Sequence, residues 1–531
     1  MRLQQQPSAS EDLVTNYLTQ TLGFSFSATD YLLALPMLLL SLFALGILMI
    51  DLLLPKKMKQ VNAWVALIGL GFAAVATGKL HWAYHTAQQR GLAFTDTGFM
   101  RSLLVDPFAI YFFYLFLAGG AIAVLMSVRY LEVEQENHGE YYALMLFSIV
   151  GMMCMAAGFD IVLLFIGLEL MAISTYVLVG FLRRDKRSNE AALKYLLLGA
   201  FSSGIFAYGL SLLYGLTGST NLQDIAQGLQ RILATRPTDP IVIFALLTTA
   251  TGLLFKIAAV PFHQWAPDAY EGAPTSITGF MSVAVKAAGW AMLLRIFLFG
   301  LYPLRSMYVP LLIFVSLATM TVGNLAAITE TNTKRLLAYS SIAHVGYMLL
   351  GLIASDGQNN STGIMAIMIY LLVYTFMNLG AFAVITSLRR RNIIGDEIDD
   401  IAGLYFKAPT EAILMLVFLL SLAGIPPLAG FWGKYFIFLS LIQTGHYKLA
   451  AVAVLYAVVG LYYYMRIGNA MLMRQPIEAE PVRLSPAMTL ALGITAAGTI
   501  VIGLFPNYVI GIVNWSLGIA QSAPGTAALL R

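Results

Sequence analysis

Cysteine is almost absent: Cys154 stands alone among 531 residues, inside an apolar run. One thiol excludes a disulfide framework, a structural zinc site and a cysteine-held iron–sulfur cluster within the chain, so electrons are not expected to pass through it. Charge is scarce as well, at 11% of residues against 59% hydrophobic, with a mean hydropathy of +0.78. That balance excludes a soluble globular protein. There is no Gly-rich phosphate loop with a following lysine, no nucleophile elbow and no dinucleotide fingerprint, which removes the usual handles for nucleotide and acyl-transfer chemistry. The polar segment 1–30 lacks a basic n-region, so no cleavable signal peptide is read there. Lys and Arg total 31 against 27 Asp and Glu, and the excess lies in loops. It reflects orientation in a membrane and gives no sign of nucleic-acid binding.

What the chain does have is long apolar runs. Those able to cross roughly 30 Å of hydrocarbon number about fourteen, near 31–54, 61–84, 107–128, 141–157, 161–182, 190–216, 241–260, 276–298, 308–328, 335–354, 363–388, 410–434, 449–473 and 485–504. The mixed polarity of 221–234 predicts a short surface helix, and the tail from Pro506 carries little signal. The fold class is therefore an all-α polytopic membrane protein: one transmembrane domain over 31–531 after the polar segment 1–30. Loops after odd-numbered spans hold roughly seventeen Lys and Arg against about eight on the other side, which places odd loops in the cytoplasm and both chain ends outside.

Two spans are broken. In 253–275, LLFKIAAVPFHQWAPDAYEGAPT, Pro261 removes a helix hydrogen bond and predicts a kink or unwinding near Val260, beside Lys256 and His263. Freed carbonyls at membrane depth are tolerated only against protein or a hydrated cavity, so the break predicts an internal wet site. The twelfth span is interrupted at Gly424-Ile425-Pro426-Pro427 and resumes through Lys434. Interrupted helices in corresponding places predict two inverted five-helix repeats, spans 4–8 (139–300) and 9–13 (305–474), with the last helix and tail over 485–531.

A charged residue inside a span costs about 2.5–3.5 kcal/mol on insertion scales, so each one is a functional candidate. The candidates are Glu169 in the fifth span, Lys194 early in the sixth, Lys256, Lys286 in the eighth, His344 in the tenth and Lys434. Lys194 lies close enough to a helix end to snorkel, and His344 could be a neutral core histidine bonded to Ser340 or Ser341. Arg295, near the outer end of its span, reads as an interface anchor. A Glu169–Lys256 pair would act as a switch: the lysine holds its proton while paired and releases it along hydrated side chains when the pair separates. His81 and His85 have metal-compatible spacing but no carboxylate or cysteine support. Tyrosine and phenylalanine read as interface belts and packing, and Gly199, Gly204 and Gly209 as close helix contacts.

These residues resemble a family: the antiporter-like membrane subunits of respiratory complex I, related to the large subunits of Mrp-type sodium/proton antiporters. The resemblance rests on 167–170 (GLEL), 187–195 (RSNEAALKY), 256–275, 334–344 (KRLLAYSSIAH) and 424–434, spread over spans 3 to 13. Lysines at Lys286 and Lys434 resemble the N type within it. The resemblance implies a Glu169–Lys256 ion pair, a bridging Lys286, Lys434 near the exit, and Lys194 and His344 on a central axis, with Pro261, Pro426 and Pro427 marking the broken helices. It implies proton translocation driven by quinone reduction elsewhere. No cofactor would be bound here, and NADH, FMN, iron–sulfur clusters and quinone would belong to other subunits. It also implies an M-type antiporter-like neighbour on one side, small K/J/A-type subunits on the other, and a bacterial inner membrane. Two further readings stay open from the residues: a sodium/proton antiporter subunit working without NADH, and a membrane scaffold with a vestigial charged axis.

Overall fold

Half of the fourteen spans begin on a short polar side chain that caps them. A computed structural model describes residues 27–90, 94, 96–355, 361–389, 396–475 and 484–520. Helix α1 (Ala28–Leu53) opens on a capping box in which Ser27 and Asp30 bond each other's backbone N–H. Asp106, Asp160, Asp185, Asp239 and Asn332 cap later helices in the same way, with Pro107 and Pro240 in the first turn of theirs. Most of segment 1–30, Arg390, Arg391, Arg483 and the end of the tail fall outside the described residues.

After α2 (Val61–Gln89), a small antiparallel hairpin, β1 (Thr97–Gly98) with β2 (Leu103–Leu104), leads into the next helices. These are α3 (Pro107–Glu134), α4 (Gly139–Ala157), α5 (Ile161–Val179) and α6 (Lys186–Thr217). The predicted surface helix is α7 (Leu222–Thr235), and α8 (Pro240–Lys256) is the first broken span, continued by the short α9 (Trp265–Gly272). Then come α10 (Thr275–Gly300), α11 (Tyr302–Thr329), α12 (Thr333–Ala354) and α13 (Thr362–Leu388). The second broken span is α14 (Pro409–Ala423) with α15 (Ala429–Gln443), followed by α16 (Tyr447–Met473) and α17 (Pro486–Leu504). The tail, read as nearly without signal, forms a further helix, α18 (Pro506–Ala520), started by Pro506. Among the described residues twelve helices are long and apolar enough to cross a membrane, and α8 and α14 are shorter apolar helices, which accounts for the fourteen predicted spans.

Burial separates a centre from a rim. The apolar windows of α10, α12 and α13 are 89%, 94% and 89% buried, against 39% in α1 and 33% in α16. Residues on the central helices therefore face protein on all sides, which is where charge can be held at depth. Of the three α6 glycines read as close contacts, two serve close approach as expected: a Cβ on Gly199 would run into the Tyr176 hydroxyl, and one on Gly209 would meet the Thr249 backbone nitrogen at 2.6 Å. Gly204 has open space beside it.

Candidate functional site

The first break comes earlier than the kink expected near Val260. Pro261 has no N–H for the Ile257 carbonyl and its ring crowds that turn, so α8 stops at Lys256. Ala258 then turns in the left-handed region at φ 60, and the Val260 N–H donates to Thr319 Oγ1 at 3.0 Å. Two of the last carbonyls of α8 are taken up at once. Trp265 Nε1 donates to Phe255 O at 2.9 Å, and Ala258 and Ala259 N–H donate to Phe255 O and Leu254 O. Lys256, 2% exposed, points Nζ at the Tyr176 hydroxyl, 3.4 Å away, and lies 5.6 Å from that ring and 5.8 Å from the Phe255 ring. Glu169 sits two turns before Tyr176 on α5, on the same face, half-buried and with Oε1 lacking a hydrogen-bond partner. Among the described residues Lys256 makes no ion pair, so the implied Glu169–Lys256 pair is open, with Tyr176 in the place of contact.

The second break is built differently. Gly424, at φ +89, ends α14 in the left-handed cap that glycine adopts without a Cβ penalty. Pro426 and Pro427 keep the helix from resuming until Ala429. Lys434 reaches back from α15, and its Nζ donates to Leu422 O at 3.0 Å and Ala423 O at 2.7 Å. The lysine thus caps the helix that was broken beside it. It is 6% exposed and 5.5 Å from the Tyr347 ring.

Between the breaks lies α12. Lys286, 2% exposed, follows a π-helical turn at Met281–Val285 in α10 and donates to Ser341 Oγ; such turns recur at functional positions. His344, one turn further along α12, is 2% exposed and bonded on both ring nitrogens: Nδ1 to the Tyr370 hydroxyl at 2.5 Å and Nε2 to the Tyr464 hydroxyl at 3.0 Å. The serine partner expected for it is one step removed, since Ser340 bonds Tyr464.

Two charged residues fall elsewhere than the sequence suggested. Lys194, with its side chain 46% exposed, pairs with Glu190 at 2.8 Å and Asp268 at 2.9 Å, and Asp268 continues to Arg335 at 2.7 Å. This network lies on the flank of α6, next to exposed Leu193, Leu197 and Phe201, and away from the lysines on the axis. Arg295 is no interface anchor. It is 1% exposed, its guanidinium grips Asp106 with both nitrogens, Nε donates to Ala156 O at 2.9 Å, and the Phe108 ring lies 4.6 Å away. The Asp106 carboxylate, already capping α3, supplies the buried counter-charge that a lone arginine would need. Asp96 lies near this pair, and burial, then Asp106, push its carboxyl up to about 6.

Several polar residues at the site were read as packing: Tyr176, Tyr347, Tyr370, Tyr374 and Tyr464. Lys334, counted as a loop charge, is buried, 3.8 Å from Asp396 and donating to Ala273 O at 3.2 Å. Among the described residues no three His, Cys, Asp or Glu side chains gather to hold a metal, and His81 stacks on Trp515 at 4.3 Å.

The arrangement is a series of buried cations with hydroxyls and carbonyls as partners, suited to passing protons. The family described as NADH:quinone oxidoreductase/Mrp antiporter, TM, matches residues 158–460. NADH-quinone oxidoreductase subunit N 1 of Koribacter versatilis is 69% identical over 94% of this chain and 97% of its own length. NADH-quinone oxidoreductase subunit N 2 of Solibacter usitatus is 51% identical over 93% and 98%. A chain of respiratory complex I from Thermus thermophilus, solved with bound aureothin, superposes with a TM-score of 0.73 at 32% identity, over 90% of this chain and 98% of that one. The chain belongs to the NADH:quinone oxidoreductase/Mrp antiporter family of membrane subunits, among its subunit N members.

Proposed function

We propose that this chain translocates protons as a membrane-arm subunit of an NADH:quinone oxidoreductase, through Glu169, Lys256, Lys286, His344 and Lys434. The observation that carries the reading is that three buried lysines, 2–6% exposed, have no carboxylate within 4.0 Å among the described residues. A lysine kept for stability would be paired, because an uncompensated buried charge costs about 3–5 kcal/mol. A lysine kept to gain and lose a proton needs partners that tolerate both states, and hydroxyls and carbonyls do. Glu169 and Lys256 form the switch, drawn here in its separated state, with Lys286 and His344 in the middle and Lys434 toward the exit. Lys194, with Glu190 and Asp268, extends the charged series to the flank, open to an adjoining subunit.

In this reading NADH, FMN, iron–sulfur clusters and quinone work in other subunits. An M-type subunit adjoins one side and small K/J/A-type subunits the other. The chain sits in a bacterial inner membrane with odd loops in the cytoplasm and both ends outside. The two broken spans belong to inverted repeats over 139–300 and 305–474. The test is NADH-driven proton uptake by sealed vesicles carrying the whole complex. Glu169→Ala and Lys286→Ala should remove this chain's share of the protons moved per NADH while the complex still assembles. Parental pumping at normal assembly in both variants would contradict the axis. Purification separates the oxidoreductase from an antiporter: flavin and iron–sulfur partners support the first, and partners limited to small membrane proteins the second.

A further inference from the structure

The phenols around His344 have no role in the axis as stated, yet they reach toward both of its neighbouring lysines. On α12, Ser340, His344 and Tyr347 lie at i, i+4 and i+7, on one face of a helix that is buried all round. Lys286 donates to Ser341 at one end of this stretch, and Lys434 lies 5.5 Å from the Tyr347 ring at the other. Tyr464, from α16, bonds both Ser340 and His344 Nε2. Tyr370, from α13, bonds Nδ1 and stands against Gly433, where a Cβ would be 3.1 Å from its ring; Lys434 is the next residue. Three separate helices thus contribute to one row of side chains running from the Lys286 end to the Lys434 end.

A neutral imidazole offers one N–H and one bare nitrogen, and a hydroxyl both donates and accepts. A histidine held between two hydroxyls is therefore satisfied on both sides in either tautomer. Packing alone does not call for that; proton relay does. We propose that Ser340, Tyr464, His344 and Tyr370 form a side-chain proton wire between Lys286 and Lys434, with Tyr464 and Tyr370 as relay residues. The proposal rests on the proton-translocation reading above and deepens it.

The transfer balances. A proton reaching the Tyr464 oxygen from the Ser340 side displaces that hydroxyl's own proton onto Nε2. The proton on Nδ1 passes to the Tyr370 oxygen, and the Tyr370 proton goes on toward Lys434. One proton arrives, one leaves, and no charge stays on the row; the ring is left as the Nε2–H tautomer, and the row resets when that proton leaves the ring, one is taken up at Nδ1 and the two hydroxyls rotate back. At the Lys286 end Tyr270 and Tyr374 bring two further hydroxyls to Ser341, the residue to which Lys286 donates. Both phenols are buried, with the Tyr270 ring 5.8 Å from Lys286 Nζ and the Tyr374 ring 5.1 Å from the His344 ring.

The experiment measures protons per NADH, with the assembled amount as control, in sealed vesicles carrying the whole complex. Tyr370→Phe and Tyr464→Phe keep the rings and remove the hydroxyls, and each should lower the ratio to that of Lys286→Ala. Parental ratios in both phenylalanine variants, with a lowered ratio in Lys286→Ala, overturn the wire and leave the axis standing. A parental ratio in Lys286→Ala as well would fault the axis itself. Should a phenylalanine variant fail to assemble, His344→Gln decides alone. An amide can bond both phenols yet cannot pass a proton, so the wire requires assembled complex with a lowered ratio, and a parental ratio overturns it.

Discussion

The two broken helices solve one problem in two ways. Each frees backbone carbonyls at the end of an apolar helix, where an unsatisfied group costs about 1–3 kcal/mol. At the first break the chain's own N–H groups and the Trp265 indole take those carbonyls, which leaves Lys256 with a hydroxyl at 3.4 Å and two aromatic faces. At the second, Lys434 itself donates to Leu422 O and Ala423 O. One lysine is held by its break and the other is spared by it. A lysine with no structural duty is free to change partners, which is what a switch with Glu169 requires. A lysine that closes a helix end is fixed in place, which suits a site visited by protons arriving from elsewhere.

This difference can be tested with paired substitutions. Lys434→Met keeps the apolar stem and leaves two buried carbonyls without a donor, at about 1–3 kcal/mol each. The expected outcome is a clearly lower melting temperature of the assembled complex together with lost pumping. An unchanged melting temperature would show that the carbonyl contacts carry no weight. Lys256→Met strands no carbonyl and removes a charge that has no carboxylate in contact. It leaves one hydroxyl, that of Tyr176, without its donor, so the melting temperature should fall less than in Lys434→Met, while this chain's share of pumping disappears. Equal destabilisation by the two substitutions would erase the contrast.

The breaks and the buried charges were legible because both violate what lipid tolerates. Pro261, the Gly424-to-Pro427 stretch and a lysine in an apolar run are conspicuous wherever the surrounding residues point. Facing was not legible. In a span, the side toward lipid is as apolar as the side toward protein, so periodicity does not mark the buried face. On α5, Leu164, Leu168 and Met171 are buried while Val162, Ile166 and Ile173 are exposed, and nothing in their chemistry separates the two sets. Lys194, close enough to a helix end to snorkel, left flank and axis both open, and for the same reason Arg295 gave no sign of turning inward. Its partner Asp106 lies 189 residues away, where its only visible role is to cap α3. The phenols of His344 come from positions 26 and 120 residues distant on other helices. A buried tyrosine and an interfacial one are spelled alike, so only the packing of α12 against α13 and α16 shows which of them carry a hydroxyl into the site.

The central claim is that cations rejected by lipid are lodged at depth because a polar path joins them. The most direct test is a map of the whole complex at a resolution that shows ordered water. The account predicts waters and side-chain polar atoms linking Lys256, Lys286, His344 and Lys434 in steps no longer than about 3.5 Å. Dry apolar packing between these residues, or acyl chains against them, would contradict it.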